Sequence, residues 1–367
     1  MEELKKTPLY GTHLKYGGRI IDFAGWALPV QFRSIVEVHH QVRKAAGLFD
    51  VSDMGELDIK GAKALALIQY ALTNDMSDLA INQVRYSPMC NERGGVVDDL
   101  IVYRLGQDHY FIVINAGNID KDYNWVKELT RKFPGVTVDN ISAQVAELAL
   151  QGPNSQAILS RLTKTDLSAI KYYWLAQDVY VDGIKCMVSR TGYTGEDGFE
   201  IFCKPEEAPG LWDRLIEAGD DLGLWPCGLG CRDTLRFEAS MPLYGQEMDD
   251  DTTPLEAGLG KYVKFEKGDF VGRGPLLEEK EKGLRKKLVG LEMVGRGIPR
   301  TGYPVLKDGQ KVGYVTTGSY APTLDKNLGL AFVPPALSEV GTALQVEIRG
   351  KGVEAKVIKK PFYRRGK

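Results

Sequence analysis

Two adjacent carboxylates, Asp98 and Asp99, sit inside the apolar, strand-like run from Val96 to Tyr103. Burying them costs desolvation energy unless something compensates. Neighbouring strand residues point to opposite faces, so the two cannot share a proton as a dyad; at most one looks into a pocket while the other caps, pairs or meets solvent. The plainer alternative is that both flank the turn at Gly94-Gly95. A second candidate is the glycine-rich loop Arg190 to Gly198, with Tyr193 at its centre and Glu200 just inside the following strand. Glycines there let the backbone approach another surface closely. Alternation puts Glu200 on the face opposite Phe199 and Ile201, and pattern alone favours a solvated glutamate. A third is Gly228 to Arg236, which opens a helix with Arg232 near its N-terminus. The helix dipole disfavours a cation there, so an anionic or polar partner is expected, and Asp233 in the first turn is one candidate.

Several standard chemistries lack their signatures. There is no GxxxxGK[ST] phosphate loop, no GxGxxG after a strand, no GxSxG elbow and no HExxH. The four histidines are His13, His39, His40 and His109; only His39 and His40 cluster, inside an amphipathic helix where packing or surface roles are expected. The cysteines, Cys90, Cys186, Cys203, Cys227 and Cys231, are odd in number and scattered, which suits a reducing compartment and free structural thiols. Cys227 and Cys231 have no second Cys/His pair nearby to complete a zinc tetrahedron, so no metal is assigned.

These residues need elements to hold them. Ile35, Val38, Val42, Ala45 and Ala46 recur at helical spacing, with Ser34 placed to cap and Gly47 to stop the helix. Gly55 to Lys60 alternates as a strand and feeds a helix over AKALALIQYAL. Strands are expected at Gln83 to Cys90, Gly95 to Arg104 and Tyr110 to Asn115, the first two joined by the turn-rich Asn91 to Gly95. Asn118 can cap a helix reaching about Lys132. Later strands are expected at Val145 to Leu150, Ile184 to Ser189 and Gly198 to Cys203, with a helix from Pro205 to Asp221. Leu243 to Asp249 is too polar for a core helix and reads as a loop. Past about Lys280 the runs LVGLEM, PVLKDGQKVGYVTTG, GLAFV, LQVEIRG and VEAKVIKK, separated by Gly, Pro and Asp-Gly turns, predict a separate barrel-like β domain. The charged stretch Glu278 to Lys287 is its natural boundary.

A chain of 367 residues exceeds what one hydrophobic core usually organises, so two or three domains are expected. With 47 Lys+Arg against 49 Asp+Glu, no global field draws it to nucleic acid or an anionic membrane. No apolar stretch approaches membrane-spanning length, and the N-terminus lacks the look of a signal or transit peptide, so a cytoplasmic location is expected.

One ordered set of segments resembles the glycine cleavage T-protein family, whose members are aminomethyltransferases. It comprises TPLY at Thr7, DFAGWALPV at Asp22, GLFDVSDMGE at Gly47, GGVVDDLIVYR at Gly94 and QGP at Gln151. It continues with SRTGYTGEDGFE at Ser189, PCGLGCRDTLRFEA at Pro226, LYGQEMDD at Leu243, APTL at Ala321 and KPFYRR at Lys360. The match runs nearly end to end. The resemblance implies an α+β fold, a three-domain cloverleaf with two interleaved α+β domains, a C-terminal β-barrel and a folate channel at the centre. The boundaries expected are 1–50 with about 140–160 and 232–280 for the first domain, 51–139 with about 161–231 for the second, and 281–367 for the barrel.

The activity implied is transfer of the methylene of S-aminomethyldihydrolipoyl H-protein to tetrahydrofolate, giving 5,10-methylenetetrahydrofolate, ammonia and dihydrolipoyl H-protein. The implied partners are lipoylated H-protein and tetrahydrofolate as acceptor, with no metal, nucleic acid or membrane. By the same resemblance Asp99 is catalytic and faces the reacting end of tetrahydrofolate. Met54, Tyr86, Tyr103, Val113 and Asn115 line the channel, and Tyr172, Tyr193, Glu200, Arg232 and Arg364 complete it. The chemistry agrees: a pterin presents adjacent N–H donors that a carboxylate such as Glu200 accepts in a pair, and tyrosines offer flat faces for a heteroaromatic ring. Arg232 and Arg364 can meet carbonyl, carboxylate or phosphate-like oxygens.

Two positions depart from the family pattern: Asp53 stands where the FDVSHMG motif has His, and Cys231 where GLGARD has Ala. The rival readings are another tetrahydrofolate-dependent demethylase, from which the chain differs in having no flavin domain attached, and a non-catalytic folate-binding relative linked to RNA modification. The latter group centres on a KGCY-type motif, where this chain has Leu243-Tyr244-Gly245-Gln246.

Overall fold

The computed structural model describes residues 3–366. The chain divides into two compact units. One runs up to Ile68 and takes in Met76–Tyr86 and Leu100–Asp233; the other comprises Gln69–Asp75, Ser87–Asp99 and the chain from Thr234 on. The strands before the barrel are β1 (Arg19–Phe23), β2 (Trp26–Gln31), β3 (Ala46–Asp50), β4 (Gly55–Lys60), β5 (Val84–Cys90), β6 (Val96–Gly106) and β7 (His109–Ile114). They continue with β8 (Thr137–Asn140), β9 (Ala146–Gln151), β10 (Leu175–Val181), β11 (Ile184–Ser189), β12 (Gly198–Cys203) and β13 (Leu224–Cys227). The helices are α1 (Tyr10–Lys15), α2 (Ile35–Lys44), α3 (Ala64–Ala71), α4 (Ile119–Leu129), α5 (Ser155–Ser160), α6 (Ala208–Gly219), α7 (Leu229–Glu238) and α8 (Arg273–Lys282).

In the first unit a six-stranded sheet has the order β10-β11-β12-β9-β3-β13. Residues 175–203 and 224–227, expected in one domain with 51–139, share this sheet with β3 and β9. Antiparallel partners share a face, and β9 and β12 pair with Glu147 opposite Phe202, Ala149 opposite Glu200 and Gln151 opposite Gly198. The other face carries Leu148, Leu150, Phe199, Ile201 and Val188, which form the main core with Leu211, Trp212 and Leu215 of α6. Those α6 residues recur at helical spacing, so one stripe of the helix is buried on the sheet. A second sheet has the order β5-β6-β7-β4-β8. Its residues Tyr103, Phe111 and Val113 pack against Phe202 and Met187 on the polar-bearing face of the first sheet.

Gly47 does not stop a helix. It lies in β3, whose five residues are all buried; a strand covered on both faces shows no alternation for the sequence to display. A Cβ there would lie 2.4 Å from the Cys227 sulfur. Ser34 and Asn118 occupy the N-cap positions of α2 and α4, but neither side chain makes the capping hydrogen bond. A 3-10 turn, Ala116–Asn118, precedes α4 and takes the place of a side-chain cap.

In the second unit β14 (Lys287–Met293), β15 (Pro304–Lys307), β16 (Gln310–Ala321), β17 (Lys326–Val333), β18 (Ala343–Ile348) and β19 (Lys351–Ile358) close into a barrel, β14-β17-β16-β15-β18-β19. Its interior is filled by Val289, Leu291, Val305, Val315, Ala331 and Val346 among others. The first half of the charged boundary stretch, up to Lys282, is the end of α8, and Lys287 begins β14.

Candidate functional site

The loop from Arg190 to Gly198 is tied at its base by Arg190, which donates to both carboxylate oxygens of Asp197 at 3.0 and 2.6 Å. It wraps the buried Gln151 amide: Gln151 donates to the Thr191 carbonyl at 3.0 Å and accepts from Thr194 at 2.8 Å. A Cβ on Gly192 or Gly198 would fall 2.0 or 2.5 Å from that amide, which is why this loop needs glycine at both places. The result is a rigid turn that presents Tyr193, with the Arg232 guanidinium 4.9 Å from the centre of its ring.

Glu200 is 7% exposed, a correction to the solvated strand glutamate expected from alternation. Every residue of β12 is buried, because the face that carries Glu200 is covered by the second sheet of the same unit. Its Oε2 accepts from the Thr191 hydroxyl and from the Tyr103 hydroxyl at 3.4 Å. Tyr103 is fully buried and packs edge-on against Phe111 and Phe202, each with ring centres 5.6 Å away. Burial raises the Glu200 carboxyl above its ordinary range, while Thr191, Arg232 and Tyr103 oppose the shift.

Three more buried acids surround this point. Glu147 lies on the same sheet face as Glu200, and its backbone is fixed by Ser52, whose hydroxyl donates to the Glu147 carbonyl at 3.1 Å and accepts from its N–H at 3.0 Å. Its Oε2 and both carboxyl oxygens of Glu56 are buried with no hydrogen-bond partner among the described residues. Burial, then Glu200 and Glu56, holds Glu147 well above the carboxylate range; burial, then Asp53, does the same to Glu56. Asp53 is pushed up to about 7 by burial and by Asp50, with Arg232 pulling it down. Arg232 is thus the cation that Asp53, Glu147 and Glu200 share. These are the acidic side chains around it, the anionic or polar partners that its place at the start of α7 called for. Glu147 and Glu56 were missed in the sequence, although Glu147 in AELAL carries the same signal as Asp98 and Asp99, a carboxylate within an apolar strand. Another buried pair, His13 and Asp50 at 2.7 Å with Thr7 donating to the same oxygen, lies on the core side of β3 and is structural.

Of the residues named from the resemblance, the first unit gathers Met54, Tyr103 and Val113 in one apolar cluster, with Glu200, Arg232 and Tyr193 linked through the contacts above. Tyr86 and Asn115 are half-buried, the latter just before the 3-10 turn. Tyr172 is 58% exposed and its ring lies against Tyr173. Asp99 and Arg364 fall in the second unit. On β6, Asp98 is fully buried whereas Asp99 is half-buried on the face it shares with Ile101 and Tyr103. The preceding Gly95 has the Asp250 carbonyl where a Cβ would be, 1.8 Å away, so the start of this strand is clamped to that segment. Arg364 is exposed, next to Tyr363, whose N–H donates to the Glu238 carbonyl at 2.8 Å.

Comparison with known proteins bears on this arrangement. Residues 9–267 match the GCVT N-terminal domain family, and residues 286–364 match the glycine cleavage T-protein C-terminal barrel domain family. An aminomethyltransferase of Caldanaerobacter subterraneus subsp. tengcongensis is 54% identical over 365 residues, covering 100% of this chain and 97% of the relative. One from Alkaliphilus metalliredigens is 54% identical over 366 residues, covering 100% and 99%. The crystal structure of glycine cleavage system aminomethyltransferase T from Bartonella henselae superposes with a TM-score of 0.91 at 35% identity, covering 98% of each chain.

Proposed function

The chain belongs to the glycine cleavage T-protein family, and we infer from that premise that it is an aminomethyltransferase acting on tetrahydrofolate. It takes the methylene carried between sulfur and nitrogen on the lipoyl arm of H-protein. A folate nitrogen attacks that carbon, ammonia leaves, and the second folate nitrogen closes the one-carbon bridge as the lipoyl thiol departs. The two N–H protons lost by folate end on ammonia and on sulfur.

The observation that carries this reading is Glu200, a buried carboxylate oriented by two hydroxyls beside an arginine stacked on a tyrosine. A carboxylate only accepts and a guanidinium only donates, so together they suit a flat ligand whose edge offers paired N–H groups and a carbonyl, as the aminopyrimidinone of a pterin does. Tyr103, Tyr193, Met54 and Val113 supply ring and apolar surface for it. Tyr86, Asn115, Tyr172 and Arg364 are proposed to contact the rest of the folate. Asp99 is proposed to hold folate in its reactive pose and to stabilise positive charge developing on the transferred carbon and nitrogens. The partner that delivers the carbon is lipoylated H-protein. Among the described residues no helix is long and apolar enough to cross a membrane.

The test is ammonia release from aminomethyl-loaded H-protein, with and without tetrahydrofolate. Release that depends on tetrahydrofolate and yields methylenetetrahydrofolate is expected. Release at the same rate without folate, or none in its presence, rejects the reading.

A further inference from the structure

Glu147 and Glu200 form a diagonal pair on neighbouring antiparallel strands: Glu200 sits opposite Ala149, two residues from Glu147 on the same face. Such diagonal neighbours come within reach of each other's side chains. A like charge nearby in a buried place disfavours ionisation of the second carboxylate, so the pair tends to keep one proton. Their surroundings differ. Glu200 receives two hydroxyl donors on one oxygen, which favours its charged form. Glu147 has an oxygen with no donor among the described residues, which favours its neutral form. When environments separate two like groups in this way, their acid and base roles are assigned.

We propose that Glu147 is a positioning residue that keeps the proton of the Glu147/Glu200 pair, leaving Glu200 the carboxylate that accepts the paired N–H donors of an aminopyrimidine ring. This rests on the folate reading above and deepens it. The groups that face Glu147 come from each element packed on it: Glu200 from β12, Glu56 from β4, Asp53 from the turn after β3, Tyr103 from β6, and Arg232 from α7. Only Arg232 among them is a cation, so a second full negative charge at position 147 adds to an excess the site already carries. An ionised Glu147 also competes with Glu200 and the ligand for Arg232 and draws it from Tyr193. Burial raises both carboxyls, Glu147 well above its ordinary range and Glu200 against the opposition of Thr191, Arg232 and Tyr103, so Glu147 is the one that holds its proton more tightly.

The test compares wild type, Glu147→Gln and Glu200→Gln by calorimetric titration of tetrahydrofolate under reducing conditions between pH 6 and pH 9. Gln is an isostere of the protonated acid. At neutral pH the Glu147→Gln protein should bind within about twofold of wild type and Glu200→Gln about tenfold or more weaker. Towards pH 9 wild-type affinity should fall while that of Glu147→Gln holds. Loss in Glu147→Gln at neutral pH equal to that in Glu200→Gln, or the same pH profile in Glu147→Gln as in wild type, overturns the proposal. Should Glu147→Gln not fold, Glu147→Leu removes the same charge at lower desolvation cost and carries the same expectation. Infrared difference spectra of the ligand-free proteins at neutral pH give a readout independent of folate. The wild-type minus Glu147→Gln difference spectrum is expected to contain a protonated-carboxyl stretch, over and above those of Glu56 and Asp53 that both proteins share, and a difference spectrum without one overturns the proposal. Failure of wild type to bind tetrahydrofolate at any pH would instead strike the folate reading, with the infrared result still deciding Glu147.

Discussion

Two arginines one turn apart on α7 live in opposite circumstances. Arg236, in the second unit, is 2% exposed and donates to Glu247 at 3.1 Å, to the Met241 carbonyl at 3.3 Å and to Thr317 at 3.2 Å. Glu247 in turn accepts from Thr316 and Thr317 at 2.6 Å each and from the Leu243 N–H at 3.0 Å. Arg232, in the first unit, is half-buried over Tyr193 with no side-chain hydrogen bond or salt bridge among the described residues. It lies among Asp53, Glu147 and Glu200 and is held by these surroundings rather than by direct bonds. A cation whose donors are bonded to buried partners serves the fold. One held by a ring and a field, with donors left over, suits a ligand.

The contrast can be broken in order of effect. Arg236→Ala removes the cation bonded to the buried Glu247, leaving it only the more distant charge of Lys360, and should cost about 3–5 kcal/mol of stability, read from denaturant unfolding; a loss under about 1 kcal/mol contradicts the structural role. Asp99→Asn should slow aminomethyl transfer on the order of 10²–10³-fold while the folded protein retains most folate affinity, whereas Asp98→Asn slows it far less. Equal losses, or loss at Asp98 alone, reject Asp99. Arg232→Ala should weaken tetrahydrofolate binding by about 1.5–3 kcal/mol in calorimetry yet leave denaturant stability close to wild type. A stability loss as large as that of Arg236→Ala would erase the distinction between them.

The last test concerns pH. Asp53 is raised to about 7, so the folded state holds its proton more tightly than the unfolded chain does. That contribution is complete below the unfolded pKa and is lost as pH rises towards 7, at up to about 1.4 kcal/mol per pH unit. Asp53→Asn has no proton to lose and should therefore gain in melting temperature over wild type as pH rises from 5 to 8. Parallel melting curves across that range would show that Asp53 is ionised in the fold throughout.

What could be read ahead of the structure followed from local periodicity and turn chemistry. β11 and β12 fall at Ile184–Ser189 and Gly198–Cys203, the expected limits, because turn residues bound both runs. The barrel was visible in its short runs and Asp-Gly turns, and the family in an ordered set of motifs. Strands such as β3 and β13 escaped notice. β3 is wholly buried and so does not alternate, and β13 is four residues long and pairs in parallel with β3, a contact no local pattern announces.

By itself, then, the sequence determined the fold class, the barrel and the family, since each depends on residue types at short spacing or in a fixed order. Only the tertiary structure decided that Glu200 is buried and bonded, that Glu147 joins Asp53 beside Arg232 with Glu56 near both acids, and that Arg236 is hydrogen-bonded where Arg232 is not. Charge state and burial depend on what covers a face. For Glu200 the cover comes from strands distant in the chain, and no pattern along β12 records them.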